Sequence, residues 1–142
     1  MRDMMNNTHV KPVLSPVATA LADDTAQVGG IIDKLGFNSL TYVIQTGTLA
    51  DAGATFTTLL EESDDSGMSG ATAVADEDLI GTEALASFTQ TADGKVFKLG
   101  YIGTKRYTRL TITPSGNGSA APLAAIALLG HPHSAPTANP PA

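Results

Sequence analysis

A chain of 142 residues suits one domain, which can bury about two thirds of its unfolded surface. The absence of cysteine excludes disulfides, thiolate metal sites and cysteine nucleophiles, and a net charge of −6 with only 15% charged residues excludes the dense basic face that nucleic-acid binding needs. Hydrophobic residues reach 42%, yet many are alanine, tryptophan is absent and aromatics are 5%, so the core rests on Leu, Ile, Val and a few rings, and partner surfaces have room to add stability.

The first stretch, Met1-Arg-Asp-Met-Met-Asn-Asn7, is followed by no apolar run, so no signal peptide is expected. Residues 1 to 21 carry Pro12 and Pro16 and no sustained periodicity, which predicts an extended N-terminal arm. Apolar side chains on such an arm gain by burial elsewhere. Val10, Lys11, Val13, Leu14 and Val17 are therefore candidate contacts to a partner.

Strand signals begin with Ala26 to Asp33, where Gly29-Gly30 predicts a bend or bulge. Ser39-Leu-Thr-Tyr-Val-Ile-Gln-Thr46 is rich in β-branched and aromatic residues and stops at Gly47. From Ala54 to Glu62, alternation puts Phe56, Thr58 and Leu60 on one face and Thr57, Leu59 and Glu61 on the other. A polar, glycine-rich connection spans Ser63 to Gly70. The segment Asp76 to Phe88 reads either as one or two short helical turns, capped by Asp76 or Asp78, or as a brief strand at Leu79-Ile80.

Lys95 to Ile102 and Arg106 to Thr113 read as a strand pair joined by Gly103-Thr-Lys105. Within the second of these, Tyr107, Arg109 and Thr111 share a face opposite Leu110 and Ile112. A turn cluster follows at Pro114 to Ser119, and Leu123 to Leu129 is apolar on both faces, as for a central strand. About seven short strands between turns predict an all-β sandwich over 22–130. The tail, 131–142, has four prolines and no charge and is expected to be flexible. The longest apolar run, Ala120 to Gly130, is far short of a membrane span, so neither a membrane partner nor a nucleic-acid partner is expected.

Charge is segregated. Ten of the fourteen acids lie from Asp51 to Asp93 with no Lys or Arg among them, and five of the eight bases follow from Lys95 to Arg109. Lys105, Arg106 and Arg109 are thus candidate contacts to acidic segments of neighbouring copies, set against a plain solvated strand face.

Chemistry-bearing patterns are thin. His131 and His133 lie in the tail and His9 in the arm, which does not make the convergent set a metal needs. Glu61, Glu62, Asp64 and Asp65 form an acidic cluster, but without the alternating spacing of a helix-loop-helix calcium loop, leaving calcium there a minor alternative to a solvated strand end. No nucleophile elbow or phosphate-binding glycine loop is present, and sugar-stacking rings are scarce. No catalytic residue, metal or cofactor is expected.

Five stretches occur in order. They are Ser39-Leu-Thr-Tyr-Val-Ile-Gln-Thr-Gly-Thr-Leu-Ala-Asp51, Phe56-Thr-Thr-Leu-Leu-Glu-Glu-Ser-Asp-Asp65, Asp78-Leu-Ile-Gly-Thr-Glu83, Gly100-Tyr-Ile-Gly-Thr-Lys-Arg-Tyr-Thr-Arg-Leu-Thr-Ile112 and Ala125-Ile-Ala-Leu-Leu-Gly-His-Pro132. The series resembles a family of small structural proteins encoded among the head genes of long-tailed, siphovirus-type phages, over about two thirds of the chain. The resemblance implies a virion component with a jelly-roll-like β-sandwich and no inherited catalytic residue. The expectation is a capsid decoration (cement) protein on the capsid exterior, with the major capsid protein and further copies of itself, as a homo-trimer, for partners. A tail or head–tail connector subunit, or a carbohydrate-binding sandwich for host attachment, are the alternatives.

Overall fold

The computed structural model describes residues 3–16 and 21–141. In chain order the strands are β1 (Thr8–Leu14), β2 (Gln27–Val28), β3 (Ile32–Asp33), β4 (Phe37–Thr46), β5 (Thr55–Ser63), β6 (Thr72–Ala73), β7 (Leu79–Ile80), β8 (Phe88–Thr89), β9 (Val96–Tyr101), β10 (Tyr107–Ser115) and β11 (Leu123–Pro132). A single helical turn, α1 (Glu83–Ala86), lies between β7 and β8. All pairings are antiparallel. One sheet runs β1-β11-β4-β9-β7, and the other centres on β10 and β5, with β2 and β3 against β10, and β6 and β8 against β5.

The pairings nest. β1 joins β11, β2 and β3 join β10, β4 joins β9, and β5 joins β6 and β8. The chain is therefore a long ribbon folded back on itself near 63–88 and wrapped into two sheets, which is jelly-roll order. The expected all-β, jelly-roll-like sandwich is what the chain forms.

Each sheet buries one face because alternate side chains point the same way. Leu40, Tyr42 and Ile44 of β4 and Ala125, Ala127 and Leu129 of β11 meet Phe56, Leu60, Leu110 and Ile112 of the second sheet, all at 2% exposure or less. The alternation read for residues 54–62 and 106–113 holds, with Phe56, Thr58 and Leu60 inward and Tyr107 and Arg109 outward. Phe56 stacks on Phe88, which stacks on Phe97 of the opposite sheet. Across the middle, Tyr42 Oη and Thr108 Oγ1 share a 2.6 Å hydrogen bond between two fully buried side chains. Burial pushes the Tyr42 phenol well above its ordinary value, so it stays neutral.

Three expectations need correcting. Residues 8–14 are not a free arm. They form the edge strand β1, in register from Thr8 opposite Gly130 to Leu14 opposite Ala125, and Val13 and Leu14 are buried at 6% and 9% exposure. The alternation Val10, Pro12 out and His9, Val13 in matches a half-buried strand. The signal was obscured by Pro12, which an edge strand tolerates because its missing N–H interrupts no second ladder. A bulge between Pro12 and Leu14 then turns the strand. The sandwich thus starts at Thr8 and ends at Pro132 rather than spanning 22–130. Val17 lies outside the described residues.

Second, β9 and β10 do not pair. The connection 103–105 crosses from one sheet to the other, as jelly-roll wrapping demands. Third, the tail folds back on the chain. His133 N–H donates to Gly36 O at 2.8 Å, Thr137 N–H to Asn6 O at 2.9 Å, and Thr137 Oγ1 to Thr8 O at 2.8 Å.

Both readings of 76–88 occur in succession: a 3-10 turn at Asp76–Asp78, the short strand β7, then α1. The cap of α1 is Thr82, whose Oγ1 accepts from Leu85 N–H, and not Asp76 or Asp78. Gly29-Gly30 closes one flank of the sandwich. Gly29 N–H donates to Leu110 O and Gly30 N–H to Val13 O, and a Cβ on Gly29 would lie 2.6 Å from that Leu110 oxygen.

Candidate functional site

The outer face of the β1-β11-β4-β9-β7 sheet can be read off its register as three rows across the strands. The first holds Val10, Leu128, Thr41, Gly100 and Ile80. The second holds Pro12, Ile126, Val43 and Lys98, and the third Ala124, Gln45 and Val96. Lys98 is the single charged side chain among them. Val10 is 39% exposed, Ile126 42%, and Val96 and Ile80 62% each. Gly100 lets Ile80 lie flat on the sheet, since a Cβ there would come within 2.9 Å of the Ile80 Cβ. Five strands at the usual spacing make this face about 19 Å wide.

Polar and loop groups frame it. At one end Met4 and Met5, 69% and 66% exposed, lean with Ala138 and Pro141 over Thr8, Val10 and Leu128 to form a shallow apolar groove. At the other, Leu85 of α1, 73% exposed, stands beside Ile80 and Val96. Contiguous exposed apolar surface with a polar rim marks an interaction site. Both sheet edges are blunted, β1 by Pro12 and its bulge and β7 by its length of two residues, so neither offers a long ladder for strand addition.

Of the residues singled out in the sequence, the structure places Val10 on this face. Lys11 is half-buried on the inward side of β1, where its charge acts on His9 and Asp33. Val13 and Leu14 belong to the chain's own core and present nothing to a partner. Ile126, Leu128, Val43, Val96, Ile80 and Lys98 were not singled out. The available signal was the double-faced apolarity of 123–129, which marked a central strand but not that one of its faces is open.

The basic segment is held within the chain. Lys105 pairs with Asp64, Arg106 donates twice to Asp33 (2.9 and 2.7 Å), and Arg109 donates twice to Glu61 (3.2 and 2.9 Å). The Arg106 guanidinium holds the Asp33 carboxyl below its ordinary range. Thus Arg109–Glu61 and Lys105–Asp64 join the basic segment to the acidic one within the chain, while Arg106 pairs outside that segment with Asp33. Glu62 accepts from Tyr101 Oη at 2.5 Å, Lys34 Nζ sits over the Tyr101 ring at 4.8 Å, and burial, reinforced by Glu62, raises the Tyr101 phenol. Asp65 accepts from Gly67 and Ser69 N–H.

His9 stacks on Phe37, while His131 bonds Ser39 and His133 bonds Asn38. Among the described residues no group of three or more His, Cys, Asp or Glu converges as metal ligands do, and no helix is long and apolar enough to cross a membrane.

No family model matches the chain, and no curated protein matches it. Among solved structures it resembles dimeric latent PorU from Porphyromonas gingivalis, with 11% identity and a TM-score of 0.42 over 87% of this chain. It spans only 12% of that chain's length.

Proposed function

We propose that this chain is a non-enzymatic structural subunit of a tailed-phage particle, a decoration protein that docks the open face of its five-stranded sheet on the major capsid protein lattice. The open face carries this reading: a broad apolar surface with one charge and blunted edges fits a rigid partner surface, not a small substrate. The resemblance of residues 38–130 to phage head-gene products supplies the particle.

A cement protein needs many modest contacts across capsomer seams, and a rigid sandwich with an apolar face supplies them without an active site. Copies associate as trimers on the outside of the head, by analogy with capsid threefold positions. Cryo-electron microscopy of purified particles tests this. Density for this chain on the outer head surface, with Ile126 and Val10 at the lattice contact, is the expected result. Density confined to the tail or connector would refute the decoration role and leave a virion subunit. Density on the head with the open face turned to solvent would refute the docking mode.

A further inference from the structure

The open face is shaped into a cleft at its α1 end. Leu85 of α1 stands beside Ile80 and Val96, and with Phe97 they line a space of about 500 Å³. Gly81, at φ +89°, turns the chain out of β7 so that α1 follows at once.

The wall that Leu85 forms is held rigidly. Thr82 Oγ1 accepts from Leu85 N–H at 3.1 Å and Glu83 Oε1 from Leu60 N–H at 2.6 Å. Thr58 Oγ1 donates to Ala86 O at 2.8 Å. Ser87 Oγ accepts from Thr58 N–H at 2.9 Å and donates to Glu83 O at 2.7 Å. These bonds fasten to β5 a turn of four residues that is too short to persist alone. Yet its Leu85 side chain is 73% exposed. Leu85 thus projects into solvent from a fixed backbone, and little backbone freedom is lost when a partner covers it.

One charge lines the same cleft. Lys98 is exposed and, among the described residues, makes no hydrogen bond or ion pair, whereas Lys105, Arg106 and Arg109 each hold a carboxylate. No Asp or Glu shares the three rows of its face. An ammonium that a partner strips of water needs an anion in exchange. A wholly apolar partner leaves it unpaired. A second copy packed face to face brings the same cation and no carboxylate.

We propose that the cleft takes an exposed segment of the capsid lattice protein in which a bulky apolar side chain stands next to an Asp or Glu. The apolar group fills the space between Ile80, Leu85 and Val96, and the carboxylate pairs with Lys98. The filled cleft supplies affinity, while the single ion pair fixes register and rejects segments whose neighbouring charge is basic. The choice of the lattice as source rests on the docking role proposed above.

Two probes of similar size and opposite charge, phenylbutyrate and phenylbutylamine, test the chemistry when titrated into the isotope-labelled full chain and followed by NMR. Phenylbutyrate is expected to shift amides at 79–86 and 96–100 and to bind about tenfold more tightly than the amine, and Lys98→Met should remove that preference. On particles lacking this chain, Lys98→Met and Leu85→Ser are each expected to bind about tenfold more weakly, and Lys98→Glu about a hundredfold. All three variants should unfold at the wild-type midpoint, since both side chains are exposed. Equal binding of the two probes, or shifts outside the cleft, would overturn the proposal. Particle binding that Lys98→Met leaves intact would overturn it while the docking role stood. A wild-type chain that takes phenylbutyrate in the cleft but does not bind particles would overturn the docking role, and with it the lattice as occupant. A concentration-dependent dimer broken by Lys98→Glu would assign the cleft to a second copy instead.

Discussion

The two outer faces of the sandwich are built from the same strand geometry and opposite chemistry. On the β10–β5 sheet the outward pairs are Thr55–Ser115, Thr57–Thr113, Leu59–Thr111, Glu61 joined to Arg109, and Ser63 opposite Tyr107, with Leu59 and the neighbouring Val28 as its aliphatic members. Every charge there has its counter-charge within the chain. On the other sheet the outward residues include Val10, Ile126, Leu128, Val43 and Val96, with Thr41 and Gln45 polar among them and Lys98 alone bearing charge. A solvated sheet normally alternates apolar-in and polar-out. One face follows that rule and the other breaks it, and the breaking face is where a partner is to be sought.

The largest effect should come from charging the open face. Ile126→Asp is expected to weaken binding to particles lacking this chain by about a hundredfold, a central anchor's worth of interface energy. The matched Thr113→Asp on the polar face should leave binding within about twofold. Co-sedimentation of each variant with such particles measures both, and equal losses would dissolve the distinction between the faces.

Next comes a contrast within one strand. Val13→Asp buries a carboxylate and should destabilise the fold by about 3 kcal/mol or more, whereas Val10→Asp, three residues away on the outer side, should change stability by about 0.5 kcal/mol or less. Urea unfolding of the two variants would decide whether β1 is core or arm, since an arm would show neither loss.

Tyr42→Phe removes one partner of the cross-sheet bond and leaves the Thr108 hydroxyl buried alone, with an expected loss of about 1–3 kcal/mol. Thr108→Val on the same background should recover part of it.

His9 sets a pH dependence. Burial, with Lys11 nearby, holds its pKa below the ordinary 6.5 in the fold. Above pH 6.5 both folded and unfolded chains carry a neutral ring and nothing is lost. As pH falls below 6.5 the unfolded chain takes up the proton first, so stability declines until the folded value is passed. His9→Phe should flatten that part of the profile between pH 7 and 5, and a profile unchanged from wild type would remove His9 as its cause.

The smallest effect belongs to the polar face. Glu61→Gln is expected to lower stability by about 0.5 kcal/mol, and less at high salt, because the Arg109–Glu61 pair is partly solvated at 28% and 22% side-chain exposure.

Much of the architecture was legible because period-two alternation is a local property. The inward set Phe56, Thr58, Leu60 and the outward set Tyr107, Arg109 follow from chain order alone once a strand is assumed. The glycine pair 29–30 and the turn after Pro114 were legible for the same reason. Local signals lose force where a residue's meaning depends on its neighbours across the sheet. Pro12 reads as a strand breaker in sequence, yet it sits harmlessly on an edge. The histidines 131 and 133 read as tail ornaments, yet bond to Ser39 and Asn38. Asn117 sits in a plain turn cluster and gives no hint of burial.

The sequence by itself determined that this is an all-β chain without cysteine chemistry, with its charges segregated and its last strand apolar on both sides. Only the tertiary structure decided that β1 is part of the core, that Arg109 of the basic segment meets Glu61 of the acidic one across β10 and β5, and that one face of the last strand is left open. Composition and period are carried by each residue and its near neighbours. Register, sheet order and which face is covered arise from pairings between residues far apart in the chain, such as Thr8 with Gly130, and no local pattern encodes them.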